Sequence, residues 1–141
     1  MQKVEIRWLG GMMFHGLSPS GHDVHLDASP QVGGSDSAPR PMELFAFGLI
    51  GCTAMDVVSI LSKMKLMDKI EDFRVIMEYE RAEDHPKVYK WVRIRYIFKL
   101  SSQVLVEKLK RAADLSQEKY CSASAMVKKA VEDFSYEIIV E

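Results

Sequence analysis

Cys52 and Cys121 are the only thiols in the chain, and both stand in unusual company. Cys52 interrupts the apolar run Leu44-Phe45-Ala46-Phe47-Gly48-Leu49-Ile50-Gly51, and Cys121 opens the segment Cys121-Ser122-Ala123-Ser124-Ala125-Met126-Val127. Two readings compete: a reactive dithiol, or a pair of inert packing residues, since cysteine is among the most buried residue types. A thiol at a helix N-terminus meets partial positive charge and free N–H donors, which favour the thiolate, so Cys121 stands where reactivity is usually raised. Cys52 lies about three turns into its own helix and gains little from that dipole. Asp56, one turn further on, is an anion that would disfavour a thiolate beside it.

The remaining polar residues offer weaker chemistry. His22 and His25 are three positions apart in a segment with strand character, so they point to opposite faces and make poor co-ligands. His15 and His85 lie elsewhere, and no CxxC or HxxxH spacing gathers metal ligands. The glycine pairs Gly10-Gly11 and Gly33-Gly34 do not lead a strand into a helix as a nucleotide loop requires. No Gly-x-Ser-x-Gly elbow supports a serine nucleophile. The methionines, Met55, Met64, Met67 and Met77 among them, suit core filling and, as an alternative, an adaptable apolar pocket.

A chain of 141 residues with 48% hydrophobic content is expected to form a single domain, residues 1–141, with a core that needs no metal or disulfide staple. Its formal charge of −1 lacks the concentrated basic surface that a phosphate backbone demands, so nucleic acid is not an expected partner. No signal-peptide pattern opens the chain, and no apolar run reads as a membrane span of about 20 residues. The expected location is the cytoplasm, with no membrane partner. In that reducing compartment a bond between the two cysteines is expected to be transient and redox-active.

These residues need elements to position them. Val4, Ile6 and Trp8 alternate with charged neighbours, and turn signals at Gly10-Gly11 and Ser18-Pro19-Ser20-Gly21 mark a three-stranded meander between Val4 and Ala28. Gln31 to Arg40 is loop chemistry with little to bury. Pro41 fits a first helical turn, and Glu43 favours the positive end of a helix reaching about Lys65. The first half of that helix is apolar on every side, which predicts burial all round. Phe73, Val75, Met77 and Tyr79 alternate along a strand that turns through Asp84-His85-Pro86 into another, with Val92, Ile94, Tyr96 and Phe98 on its apolar face. Ser101 or Ser102 is expected to cap a helix with the stripe Val104, Leu105, Leu109, Ala112 and Leu115. A short helix over Ser122–Val131 has Cys121 at its entrance, and Phe134, Tyr136, Ile138 and Val140 alternate in a last strand. The sum is an α+β chain with antiparallel hairpins.

The stretch from Gly33-Gly34-Ser35-Asp36-Ser37-Ala38-Pro39-Arg40-Pro41 into Gly51-Cys52-Thr53-Ala54-Met55-Asp56, together with Tyr120-Cys121-Ser122-Ala123-Ser124, resembles the OsmC/Ohr family of osmotically inducible and organic hydroperoxide resistance proteins. The likeness also follows the order of elements and so covers nearly the whole chain. It implies an OsmC-like fold: an intertwined homodimer in which antiparallel sheets wrap long central helices, with active sites at the subunit interface. It further implies a cofactor-free thiol peroxidase for organic hydroperoxides. Cys52 would attack the O–O bond and become a sulfenic acid. Cys121 would condense with it to a disulfide, which an external dithiol, such as a lipoylated protein in the hydroperoxide resistance branch, would reduce.

Two features depart from that branch. An early arginine and a glutamate ten positions before the first cysteine activate the thiolate there, whereas this chain has Met12 after its early Gly-Gly and Met42 ten positions before Cys52. Glu43 is one residue away, turned by about 100° on a helix. Arg40 and Glu43 are therefore the accessory candidates, with a solvated loop arginine as the alternative for Arg40. The missing helpers keep a second function in play, a dimeric binding or sensing protein for an apolar or thiol-reactive ligand.

Overall fold

A computed structural model describes the whole chain, Met1–Glu141. It divides into two compact units, Met1–Phe47 and Gly48–Glu141.

The first unit holds the meander. Strands β1 (Glu5–Gly10), β2 (Met13–Leu17) and β3 (Asp23–Leu26) form one antiparallel sheet in the order β1-β2-β3. The turns fall where Gly10, Gly11 and Gly21 supply positive φ. The alternation along β1 does not bury one face, because Ile6 and Trp8 are 57% and 67% exposed. Pairing with β2 holds the strand's backbone, while its side chains stay largely exposed. His15 faces His25 across β2 and β3 with ring centroids 5.0 Å apart, and its Nε2 lies 2.6 Å from the Asp23 carboxylate.

The loop after β3 is more ordered than its composition predicts. Asp27 is only 2% exposed, and its carboxylate accepts hydrogen bonds from the backbone N–H groups of Ala28, Ser35 and Ser37 and from the Ser37 hydroxyl. The Ser37 hydroxyl and these backbone donors lower its pKa to about 2. Gly34 closes the loop so tightly that a Cβ there would stand 1.9 Å from the Ala28 carbonyl oxygen.

Helix α1 (Pro41–Lys63) begins at the proline, as its missing N–H permits. Its interior differs from the expectation of burial all round: Leu49, Thr53, Val57 and Leu61 form one buried stripe at four-residue spacing, while Phe45 and Phe47 are 50% and 62% exposed. The expectation that no stretch could span a bilayer is also corrected. An 18-residue window of α1 has a mean hydropathy of 2.0, so the helix is long and apolar enough by length and composition, although core helices of soluble proteins pass the same test. Asp56 is the only charge in residues 44–61 and interrupts the apolar run without ending it.

The second unit carries the larger sheet. Strands β4 (Ile70–Arg81) and β5 (Tyr89–Leu100) pair antiparallel, with Phe73 opposite Phe98, Val75 opposite Tyr96, Met77 opposite Ile94 and Tyr79 opposite Val92. The two apolar alternations thus fall on one face, and the rings of Phe73 and Phe98 stack at 4.5 Å. Val92, Ile94, Tyr96 and Phe98 are all fully buried. Burial of an aliphatic or phenyl side chain of this size stabilises the fold by roughly 1.5–3 kcal/mol. The last strand, β6 (Asp133–Val140), joins β5 in parallel, which corrects the expectation of purely antiparallel pairing. The chain reaches β6 by a helical crossover, and a crossover returns a strand in the same direction as the one it left.

That crossover consists of α2 (Val106–Leu115), a five-residue π turn (Ser116–Tyr120) and α3 (Ser122–Lys128). Neither Ser101 nor Ser102 caps α2, which starts after Leu105. Ser101 instead bonds the carbonyls of Lys69 and Asp68 and closes the open end of the β4–β5 pair.

Candidate dithiol site

Cys52 lies on α1 and Cys121 directly follows the π turn, and the second unit brings the two thiols close enough together for Cys52 to push the Cys121 thiol up. Both are unbonded. Their exposures differ: Cys52 is half-buried, whereas Cys121 is 3% exposed. Cys52 thus keeps some exposure to solvent, and Cys121 has almost none.

Cys121 is the N-cap of α3, as its position predicts, and its sulfur accepts a hydrogen bond from the Ser124 N–H at 3.3 Å. The anticipated gain in acidity is not realised. Burial dominates and pushes the Cys121 thiol up, with the Cys52 thiol adding to it. The Ser124 N–H and hydroxyl oppose the rise, although the hydroxyl stops short of a full hydrogen bond to any partner. A helix of seven residues is too short a dipole to overcome that loss of water. Lys128, at the other end of α3, donates to the Gln117 carbonyl at 2.6 Å. Its own burial pushes its ammonium down, and the charge of a Cys121 thiolate pulls it back up.

Beneath the thiols runs a buried polar chain that composition and spacing do not announce. Ser116 Oγ donates to Asp56 Oδ2 at 2.9 Å and lies 2.7 Å from Thr53 Oγ1, which lies 2.6 Å from the Tyr96 hydroxyl. The Gln117 amide donates to Tyr96 at 2.6 Å and to Thr53 at 3.3 Å. Burial raises the Tyr96 phenol against the lowering effect of Thr53 and Gln117, and the nearby Cys121 and Asp56 add to the rise. The usable sequence signals were a threonine on the α1 core stripe and a tyrosine on the β5 core face, since a buried hydroxyl must find partners. Asp56 also borders a cavity of about 240 Å³ with Ser59, Ile60, Lys63, Leu115 and Tyr120. Its partner is Ser116, a hydroxyl on the π turn.

The accessory candidates have local partners in the first unit. Arg40 forms an ion pair with Asp36, and the Glu43 carboxylate accepts from the Arg40 N–H at 3.1 Å. Glu43 thereby forms half of a capping box at the start of α1.

Two adjacent free thiols of unequal exposure, on a helix and on a crossover turn over a mixed three-stranded sheet, define an α+β dithiol protein. The chain belongs to the OsmC-like protein family, which it matches over residues 34–132. Protein YhfA of Escherichia coli K12 is 36% identical over 97% of this chain and 98% of its own. A hypothetical protein from Aquifex aeolicus VF5 has a similar structure, with 29% identity and a TM-score of 0.79 over 100% of this chain and 98% of its own. The organic hydroperoxide resistance protein OhrB of Bacillus subtilis shares the fold at 20% identity and a TM-score of 0.61, covering 98% and 97% of the two chains.

Proposed function

We propose that this protein is a cytoplasmic, cysteine-based peroxidase that reduces organic hydroperoxides and works as a homodimer. The observation that carries the reading is the nearness of a half-buried Cys52 to a buried Cys121, whose thiol it helps to push up. In the first step the Cys52 thiolate attacks the outer peroxide oxygen. The O–O bond breaks, the leaving alkoxide takes a proton to become the alcohol, and Cys52 becomes a sulfenic acid. In the second, Cys121 sulfur displaces hydroxide from that sulfenic acid, its proton leaves with the hydroxide as water, and a disulfide forms. An external dithiol then returns both sulfurs to thiols by exchange and leaves as a disulfide. Burial keeps Cys121 neutral, which protects it from peroxide until Cys52 presents an electrophilic sulfur beside it.

The apolar outer face of α1 supports the dimer and an apolar substrate. Met55 is 75% exposed and Val58 38%, and both line an open groove of about 420 Å³ with Ala54, Ser59, Ser62 and Phe73. A helix of this composition is stable when a second apolar surface covers it.

The test is stopped-flow reaction of the reduced protein with cumene hydroperoxide, a fatty-acid hydroperoxide and hydrogen peroxide. The reading predicts fast, saturable oxidation by the organic hydroperoxides and a slower reaction with hydrogen peroxide. Rates equal to those of a small free thiol, with no preference among the three, would reject it and favour a binding or sensing role.

A further inference from the structure

The buried polar chain has one consistent proton order. The Asp56 carboxylate only accepts, so Ser116 spends its single proton there. The 2.7 Å contact between Ser116 and Thr53 then requires the Thr53 proton, and the 2.6 Å contact between Thr53 and Tyr96 requires the Tyr96 proton. With its proton committed, the Tyr96 oxygen can only accept from Gln117, which fixes that amide with nitrogen toward the phenol. The cost of this order is visible: Gln117 Oε1 is buried without a partner. Turning the amide over would satisfy that oxygen but bring two unprotonated oxygens together further along the chain.

Its end points matter more than its chemistry. Thr53 directly follows Cys52 on α1, and Ser116 and Gln117 open the π turn whose last hydrogen bond, from the Cys121 N–H to the Ser116 carbonyl, is 2.8 Å. The π turn adds a residue to the crossover and points both Ser116 and Gln117 inward. A buried hydroxyl and amide that leave an orphaned oxygen are expected where local satisfaction yields to function.

We propose that the Thr53–Tyr96–Ser116–Gln117 chain is a clamp that holds the α1 and π-turn elements so that Cys52 and Cys121 face each other and can close a disulfide. Thr53 and Gln117 are its positioning residues. This rests on the dithiol reading above, but not on peroxide being the oxidant.

The experiment equilibrates the full-length protein with mixtures of oxidised and reduced dithiothreitol. Two electrons and two protons pass from Cys52 and Cys121 to the cyclic disulfide, which becomes the dithiol, and the fraction of protein disulfide is read by mass after acid quench. Thr53→Val keeps the shape and removes the hydroxyl. It is expected to shift the exchange constant against the protein disulfide by tenfold or more, about 30 mV for this two-electron couple. Thr53→Ser should restore it. Gln117→Met, which removes the donor at the other end, should give the same shift and serves if Thr53→Val does not fold. A folded Thr53→Val or Gln117→Met protein with an exchange constant within twofold of the parent would overturn the clamp, as would a parent that forms no disulfide. A parent slow toward hydroperoxides that still shows the tenfold shift would reject the peroxidase and uphold the clamp.

Discussion

Ser116→Ala tests whether the polar chain is structural at all. The side chain is fully buried, and the change removes one oxygen while leaving backbone and packing in place. Three contacts go: a donation to the Asp56 carboxylate at 2.9 Å, an acceptance from the Thr53 hydroxyl at 2.7 Å, and a long, weak one to the Thr53 carbonyl at 3.5 Å. A bond to a charged group contributes about 1.5–3 kcal/mol and a neutral one about 1 kcal/mol, and the Thr53 proton is left facing a methyl group. The sum is a loss of about 3 kcal/mol. At this chain length that corresponds to a fall in Tm of about 10 °C. Urea unfolding at one fixed protein concentration is the assay, because any assembly makes stability concentration-dependent. The midpoint should fall with the slope unchanged, since the surface exposed on unfolding is the same. Ser122→Ala, at the exposed start of α3, is the control and should stay within about 0.5 kcal/mol. A loss under about 1 kcal/mol for Ser116→Ala would refute the reasoning.

Gly34→Ala should open the loop after β3, because its Cβ would meet the Ala28 carbonyl at 1.9 Å. The expected sign is faster amide exchange at Ser35 and Ser37, whose N–H groups bond Asp27, and protection equal to the parent would contradict it. The same loop should lose the stabilisation from Asp27 on acidification. A carboxylate lowered to about 2 contributes fully above its ordinary value of 3.8 and progressively less as pH falls between the two, which titration by NMR would follow. In a Cys52→Ser background, alkylation of Cys121 should rise only at pH values above the ordinary thiol range, since burial holds the thiol neutral. Lys128→Met should move that midpoint higher still by removing the nearby cation, and an unmoved midpoint would remove Lys128 from the account.

Periodicity carried the elements of the second unit well. The alternations at Phe73–Tyr79, Val92–Phe98 and Phe134–Val140 are the three strands of one sheet with their apolar residues in facing register. The parallel direction of β6 was not legible, because alternation is the same whichever way a strand runs. Nor was the incomplete burial of α1: an all-round apolar helix says that something covers it and not whether that cover belongs to the same chain. At the site, resemblance marked Cys52 and Cys121 and helix-entrance chemistry singled out Cys121. The polar chain beneath them joins residues up to 64 positions apart, and nothing local in Thr53 or Gln117 reveals a shared partner. Asp27 was missed for the same reason, since its donors lie 8 and 10 positions away in a stretch that reads as plain loop.

The central claim is that Cys52 takes the oxygen and Cys121 resolves it. The most direct measurement is intact-protein mass after one equivalent of cumene hydroperoxide, with dimedone present, on the parent and on Cys121→Ser. The account predicts an intramolecular Cys52–Cys121 disulfide, two hydrogens lighter and without dimedone, in the parent, and a dimedone adduct on Cys52 in Cys121→Ser. A dimedone adduct on Cys121, or a parent protein left fully reduced, would contradict it.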